Sequence, residues 1–151
     1  MNIVQVSIQS RRSRSRDDLA EQIISDYSTR IARYVSTESK LFDSETTFLA
    51  WIDRQSGRAP VHLILLDSRG KQLSSEELAQ TIGHLRDSGT QHLVLAIGPA
   101  DGWSDVTRRR AHLLLSFGRI TLPHQLARVV LAEQIYRAFT ILSGHPYHSG
   151  H

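Results

Sequence analysis

The segment 93–124, LVLAIGPADGWSDVTRRRAHLLLSFGRITLPH, decides how the chain is organised. Its apolar start belongs to a run over 92–97 that is typical of a buried strand, and the run stops at Gly98. A helix pattern over 105–115 follows, and then a second strand pattern over 117–122. Two strand ends that open onto loops within so short a span indicate a ligand-binding site.

Patterns outside this segment predict an alternation of strands and helices. Ser74 and Glu77 form a capping-box pattern that marks one helix start. Pro123 suits the first turn of a final helix, which Gly144 and Pro146 end. Residues 36–42 fit either a short strand or an irregular segment. The remaining predicted elements are strands over 1–9 and 61–66, and helices over 18–35, 44–55, 74–87 and 123–143.

This alternation predicts one α/β domain over 1–151, with a mostly parallel sheet covered by helices on both faces. In such sheets ligands bind beyond the carboxyl ends of the strands. The loops expected there are 66–71, 98–103 and 122–124.

The composition excludes several classes of protein. Hydrophobic residues make up 40% and charged residues 22% of the 151 residues, so neither disorder nor a fibrous structure is expected. The chain has no cysteine, which excludes disulfides and thiolate sites and fits a reducing compartment. No run approaches the roughly 20 apolar residues of a membrane span, and Met1 leads straight into a strand pattern without a leader. We therefore expect a cytoplasmic protein.

The net charge is only +3, but the arginines are clustered. Such clusters fit either a phosphate backbone as partner or a solvated face, and both interpretations stay open here. The two groups are Arg11, Arg12, Arg14 and Arg16, and Arg108, Arg109 and Arg110.

The loop Gly98–Gly102 is neither a dinucleotide nor a triphosphate motif. Its glycines fit a turn that requires positive φ, or a close approach of the backbone to a ligand. Asp67 and Asp101 both follow apolar strands, where they can accept hydrogen bonds from a ligand or cap their own loops.

Eight histidines are present, and His145, His148 and His151 recur at a spacing of three. We expect no metal there, because the tail contains Pro146 and Gly150 and the chain lacks both cysteine and an HExxH helix. Serine-histidine catalysis is not expected either, since the chain has no GxSxG elbow.

Four motifs in order resemble the RlmH family, the SPOUT-class methyltransferases that act on N(3) of a pseudouridine in 23S ribosomal RNA. The resemblance covers nearly the whole chain. The motifs are LLDSRGKQLSSEELA (65–79), LAIGPADGWS (95–104), ITLPHQLARVVLAEQIYRAFTIL (120–142) and HPYH (145–148).

The resemblance implies a homodimer whose C-terminal part forms a trefoil knot that binds S-adenosylmethionine. Main-chain groups of the knot would recognise the adenine. The cofactor contacts implied are Leu66, Gly98, Phe117, Gly118, Arg119, Ile120, Thr121 and Leu122.

It further implies methyl transfer to large-subunit ribosomal RNA in the assembled ribosome. His148 would remove the imide proton or position the substrate, and Tyr147 would stack on the base or hydrogen bond to it, both beside the partner subunit's cofactor. The alternative for both is a tail that packs at the dimer interface. Two other functions remain open, a knotted enzyme acting on tRNA or a ribose hydroxyl, and a non-catalytic ribosome-binding factor. Arg128, Glu133 and Arg137 also match the family pattern on the last helix, and whether they pair with one another or touch RNA stays open at this point.

The chain departs from the family in three places. Pro99 replaces a usual glycine, which removes one amide donor from the loop. After His148 the family usually has a basic residue, whereas this chain continues with Ser149, Gly150 and His151. The first loop, residues 10–16, carries arginines and serines where the family usually has lysines.

Overall fold

The computed structural model describes residues 1–10 and 18–149. The predicted first loop and its four arginines lie outside these residues, as does His151.

Five strands form one sheet within the described part of the chain, in the order β2-β1-β4-β3-β5. Every pairing between neighbours is parallel, which confirms the predicted sheet. The ambiguous segment 36–42 is a strand at one edge, paired along its whole length with the first strand. The strands are β1 (Asn2–Ile8), β2 (Ser36–Phe42), β3 (Val61–Gln72), β4 (His92–Ile97) and β5 (Leu113–Ser116).

Helices cover both faces of the sheet, as predicted. Side chains of α1, α3 and α5 pack in one core, whose largest members include Ile3, Leu93 and Ile135. A second core on the opposite face gathers Phe48 of α2 and Trp103. The helices are α1 (Asp18–Ile31), α2 (Glu45–Ser56), α3 (Ser75–Asp87), α4 (Asp105–Arg109) and α5 (His124–Ser143), followed by a 3₁₀ turn over Pro146–His148.

Serine caps begin three of the helices. The side chains of Ser44, Ser74 and Ser104 each accept a hydrogen bond from the backbone N–H three residues later. The predicted capping box is present, since Glu77 also accepts from the N–H of Ser74. Pro123 is the N-cap of α5 and not its first helical residue, and Gly144 ends that helix at φ 73°.

The first helix is shorter than predicted, because the chain turns after Ile31. The carbonyl of Ile31 accepts from the N–H groups of both Tyr34 and Val35, which ends the helix before β2.

The prediction of a helix over 105–115 and a strand over 117–122 was wrong. The helix ends at Arg109, and the apolar run 113–116 is the strand β5. Leucine favours helices, but here the run pairs with Ile64–Leu66 of β3, and that pairing decides its structure. Residues 117–122 form an irregular loop, in which Gly118 has φ 114°.

The predicted loop 66–71 is also revised, because β3 continues to Gln72. Leu115 of β5 pairs with Leu66 and also with Lys71, so the residues between them turn around the β5 backbone. A Cβ atom on Gly70 would lie 2.6 Å from the carbonyl of Leu114. Only glycine permits these two segments of the chain, β3 and β5, to approach this closely.

Candidate cofactor pocket and C-terminal tail

A cavity of about 610 Å³ lies at the carboxyl ends of β4 and β5 and beside residues 66–69 of β3, where β3 passes the end of β4. Its walls come from these three strands, the loops that follow β4 and β5 and the start of α5. This is the edge of the sheet at which parallel folds bind ligands. Its volume lies within the range of sites for small organic molecules.

All eight positions predicted to contact the cofactor line this one cavity. They come from three separate segments of the chain, so the fold brings together residues up to 56 positions apart. They are Leu66, Gly98, Phe117, Gly118, Arg119, Ile120, Thr121 and Leu122.

Trp103 builds one wall of the cavity. Its indole Nε1 donates to the carbonyl of Leu66 at 3.0 Å, which fastens the loop after β4 to β3. A Cβ atom on Gly98 would lie 2.8 Å from the indole ring, so this position requires glycine for space. For the glycines of this loop the sequence predicted either positive φ or a close approach to a ligand; at Gly98 the close neighbour is instead a tryptophan of the same loop.

The turn after Gly98 is closed by its own backbone. The N–H of Gly102 donates to the carbonyl of Pro99 at 2.8 Å, and Gly102 has φ 87°. Positive φ, one of the two expected reasons for glycine, therefore applies at Gly102.

Ser116 holds the opposite wall. Its buried hydroxyl accepts from the N–H of Gly118 at 3.0 Å and donates to the same residue's carbonyl at 3.1 Å. Beyond it Arg119, Ile120 and Thr121 are exposed, and the Ile120 side chain is 81% exposed. An aliphatic side chain this exposed beside a cavity suggests contact with another molecule.

Asp67 lies in the cavity wall but is already engaged. It accepts from the N–H of Arg69 at 2.8 Å, and its other carboxylate oxygen lies 2.9 Å from Nε of Arg108. The side chains of Asp67 and Arg108 are 7% and 18% exposed. Asp67 is therefore a structural part of the loop, whereas Asp101 is exposed.

His124 also lines the cavity and was not among the predicted site residues. Its Nε2 lies 2.6 Å from the hydroxyl of Ser7 at the end of β1. Burial, and secondarily the positive charge of Arg128, lower the pKa of His124. Arg128 is itself 5% exposed and pairs with Glu21 at 2.5 Å. The signal for His124 was present in the sequence, as a histidine following Pro123 at a strand-to-helix corner.

A family model described as predicted SPOUT methyltransferase matches residues 4–148. The chain belongs to this family.

Relatives of this SPOUT family member include two proteins named ribosomal RNA large subunit methyltransferase H. The one from Koribacter versatilis is 50% identical over 138 residues, which is 91% of the chain and 94% of the relative. The one from Mesorhizobium japonicum is 65% identical over 86 residues, 57% of the chain and 54% of the relative.

A solved structure shares the fold of this chain. A probable methylase family protein from Haemophilus influenzae Rd KW20 superposes with a TM-score of 0.55 over 97% of the chain and 67% of that protein. The two sequences are 10% identical, so this likeness concerns the fold alone.

The tail of this SPOUT chain folds back onto α5, where His148 lies between two charged residues. Arg137 Nη1 is 2.9 Å from its Nδ1, and Glu76 Oε1 is 2.7 Å from its Nε2. A guanidinium can only donate, so Nδ1 must accept, and the proton of the neutral ring is on Nε2. The hydrogen bond from His148 is the main cause that lowers the pKa of Glu76. Both ring nitrogens of His148 are therefore occupied in this arrangement.

Tyr147 is packed on the same helix. Its ring meets Tyr136 edge-on at 4.7 Å, and the Arg137 guanidinium lies 4.9 Å from its centroid. Burial and a hydrogen bond with Tyr27 raise the pKa of Tyr147 to about 12, so the phenol stays neutral at physiological pH.

The tail and the cavity are not brought together within one chain. The cavity includes His124 at the first turn of α5, whereas the tail packs beside Arg137. Thirteen residues of helix separate these positions, which is about 20 Å at ~1.5 Å per residue.

The described residues contain no group of three or more histidine, aspartate or glutamate side chains placed to hold a metal ion. Within those same residues no helix is long and apolar enough to cross a membrane.

The three clustered arginines have different surroundings. Arg108 is held by Asp67, and Arg110 pairs with Asp53 at 2.6 Å. Arg109 is exposed, and within the described part of the chain it makes no ion pair. Arg109 is thus the member of this cluster that is open to a phosphate.

Proposed function

We propose that this protein transfers a methyl group from S-adenosylmethionine to N(3) of a pseudouridine in 23S ribosomal RNA. It would act as a cytoplasmic homodimer on the assembled ribosome. The observation that carries the proposal is the convergence of all eight expected cofactor positions on one cavity of about 610 Å³. The family membership and the names of the relatives supply the reaction class.

The cavity suits S-adenosylmethionine in size and in chemistry. Residues 117–122 form no regular secondary structure, so main-chain groups of this loop can read the edge of an adenine. The close turn of Gly70 around β5 is the kind of crossing that the proposed trefoil knot requires. The cofactor supplies the methyl group. Pro99 donates no amide hydrogen, so any hydrogen bonds to the adenine come from other main-chain groups of the pocket.

A homodimer would complete the site. The pocket lies at the first turn of α5, and the tail lies some 20 Å further along that helix. If a two-fold axis relates two subunits so that their α5 helices are antiparallel, the tail of one subunit lies near the pocket of its partner. Exposed apolar side chains near the pocket end of this face support such an interface, namely Ile23, Ile120 and Leu126.

In the proposed site His148 positions the base through its Nε2–H. This proton faces Glu76 in the single chain and can be directed to a carbonyl of the substrate instead. For His148 to accept the imide proton, its Nδ1 would first have to separate from Arg137. The arrangement therefore favours positioning over proton removal. Tyr147, with its ring covered by Arg137, suits hydrogen bonding better than stacking.

The test combines labelled S-adenosylmethionine with ribosomes from a strain that lacks the modification, followed by mass spectrometry of the nucleosides. We expect methylated pseudouridine from ribosomes and much less from isolated RNA. Cofactor binding is measured separately by the fluorescence of Trp103 in the pocket wall. Cofactor binding without methylpseudouridine would refute the function. Methylation of tRNA or of a ribose would instead favour another knotted enzyme, and no methylation at all a ribosome-binding factor.

A further inference from the structure

A second cavity, of about 510 Å³, lies at the opposite end of β5 from the cofactor pocket. It is formed by the starts of β3 and β5, the outer side of α3 and the residues just after the crossing at Gly70. Four of its lining side chains can carry positive charge, and none of the described residues that line it is a carboxylate. They are His62, Lys71, His84 and His112.

His112 presents a fixed hydrogen-bond donor here. The ring Nδ1 accepts from the backbone N–H of Leu63 at 3.0 Å, while the backbone N–H of His112 donates to the carbonyl of Leu63 at 2.8 Å. The neutral ring must therefore carry its proton on Nε2, at the side of the ring away from Leu63. His112 offers an N–H group outward whether it is neutral or charged.

The other basic groups lie around this donor. The ring of His62 stacks on that of His112 with centroids 4.5 Å apart. Lys71 and His84 are both exposed, and in the described part of the chain Lys71 makes no ion pair. The hydrogen bond from the backbone N–H of Ser74 to Oε1 of Glu77, at 3.0 Å, is the main cause that lowers the pKa of Glu77, and the positive charge of Lys71 is one of the smaller causes. The cluster thus collects basic groups with no carboxylate among the described residues that line the cavity.

The remaining wall combines the polar Gln80 and Thr81 with an apolar surface from Leu73, Leu85 and Leu113. An inorganic anion needs donors only, whereas a nucleotide needs donors for its phosphate and an apolar or stacking surface for its base. We propose that this cavity binds an unpaired nucleotide of an RNA strand, with its phosphate at Lys71 and His112 and its base against the leucines. The proposal rests on the proposed function in one respect, namely that the bound polymer is RNA.

The titratable groups that face the site are His62, His84, His112 and Lys71, with Glu77 behind Lys71. Burial and, secondarily, the neighbouring His112 lower the pKa of His62, so the His62 ring gains its charge, and attracts phosphate more strongly, only at acid pH.

The experiment titrates a fluorescent single-stranded RNA of about ten nucleotides and follows anisotropy at several salt concentrations. Lys71→Gln should weaken binding roughly fivefold to tenfold and reduce the logarithmic salt slope by about 0.7, the value for one phosphate contact on a single strand. Lys40→Gln is the matched control, because it removes the same charge from β2 at the opposite edge of the sheet. Equal effects of the two substitutions would overturn the proposal.

Nuclear magnetic resonance spectra of the imidazole nitrogens are a second measurement, and they require no variant. RNA should shift the ring signals of His62, His84 and His112, and uridine 5′-monophosphate at equal phosphate concentration should shift them much less. Unchanged signals would overturn the proposal. Equal shifts with the mononucleotide would assign the cavity to free nucleotides instead. Because neither measurement involves methyl transfer, a failure here is distinct from a failure of the proposed enzyme activity.

Discussion

The two ends of α5 are built in different ways. At its start the cofactor cavity is shaped by main-chain turns, with Gly98 against Trp103 and Gly118 held by Ser116. At its end the tail is held by side chains, in the series Glu76–His148–Arg137. The first arrangement is complete within one chain. The second uses up, within one chain, the groups that a substrate would need.

This difference separates the two tasks of the proposed enzyme. A main-chain pocket is rigid and tolerates few substitutions, because each glycine fills a steric requirement. In the tail network the hydrogen bond from His148 to Glu76 is the more exposed one, with the Glu76 side chain 58% exposed. Exchanging its partner costs little, since a typical hydrogen bond contributes only about 1 kcal/mol. The start of α5 therefore suits holding a cofactor, and its end suits exchanging Glu76 for a substrate.

The largest effect is expected from Gly98→Val, which attacks the main-chain end directly. The new side chain meets the Trp103 indole, which must move and lose its bond to Leu66. Affinity for S-adenosylmethionine, measured by calorimetry, should fall by about 100-fold or more, because a shift of about 3 kcal/mol in binding free energy corresponds to that factor.

Gly57→Ala is the control, since Gly57 has helical φ of −68° and an added Cβ has its nearest contact at 3.5 Å. Trp103→Phe guards against a variant that simply unfolds, because it keeps an aromatic ring and removes only the bond to Leu66. It should lose roughly tenfold, as expected for one hydrogen bond of about 1 kcal/mol and some packing. Normal cofactor affinity in folded Gly98→Val would contradict this view of the pocket.

A smaller and more informative effect is expected when the two ends are damaged in different subunits. His148→Ala should reduce methyl transfer and leave cofactor affinity nearly unchanged. If one subunit's tail serves its partner's pocket, mixing Gly98→Val with His148→Ala subunits restores about a quarter of wild-type activity, from one intact site in each of half the dimers. Turnover is measured after co-refolding the two chains.

Affinity-tagged Gly98→Val subunits, mixed with untagged His148→Ala subunits and tested for untagged chain retained by the tag, are the control for subunit exchange. No recovery in the first mixture, with exchange shown by this control, would place the tail and pocket of one site in the same chain. Equal losses of turnover and cofactor affinity in His148→Ala would move His148 into the cofactor pocket.

The sequence could predict the main-chain end because its signals are local. Ser104, Gly98 and Pro123 each mark a turn by a property of that residue alone. The order of strands and helices then places the loops together through the general rule for parallel sheets. Local signals failed at Leu113–Ser116, because a leucine run fits both helix and strand and only its pairing with β3 decides.

The tail was beyond local reasoning for a similar cause. His148 meets Glu76 across 72 positions of sequence, and no spacing rule relates them. Its tautomer depends on Arg137, which the family pattern marked without indicating a partner. Trp103 and His124 lie in loops that were expected at the ligand-binding edge, but neither was named as a site residue, since their roles depend on contacts with Leu66 of β3 and Ser7 of β1.

The smallest effect concerns acid stability, and it tests whether the pocket end is also the more acid-sensitive end. Burial lowers the pKa of His124 in the folded chain, while the unfolded value stays near 6.5. Below about pH 6.5 the unfolded chain therefore binds more protons, and the free energy of unfolding decreases as the pH falls towards the folded pKa. His62 acts in the same direction. One such group contributes at most about 1.4 kcal/mol per pH unit, and the partial exposure of both rings makes the change a fraction of that.

Urea unfolding at pH 7, 6 and 5, at one protein concentration, measures this slope. His124→Gln keeps a donor for Ser7 but does not titrate, so it should flatten the dependence on pH. His84→Gln removes an exposed imidazole and should leave it as in the wild type. If both variants keep the wild-type slope, acid sensitivity lies elsewhere in the chain. The contrast between the two ends of α5 would then concern their geometry and not their response to protons.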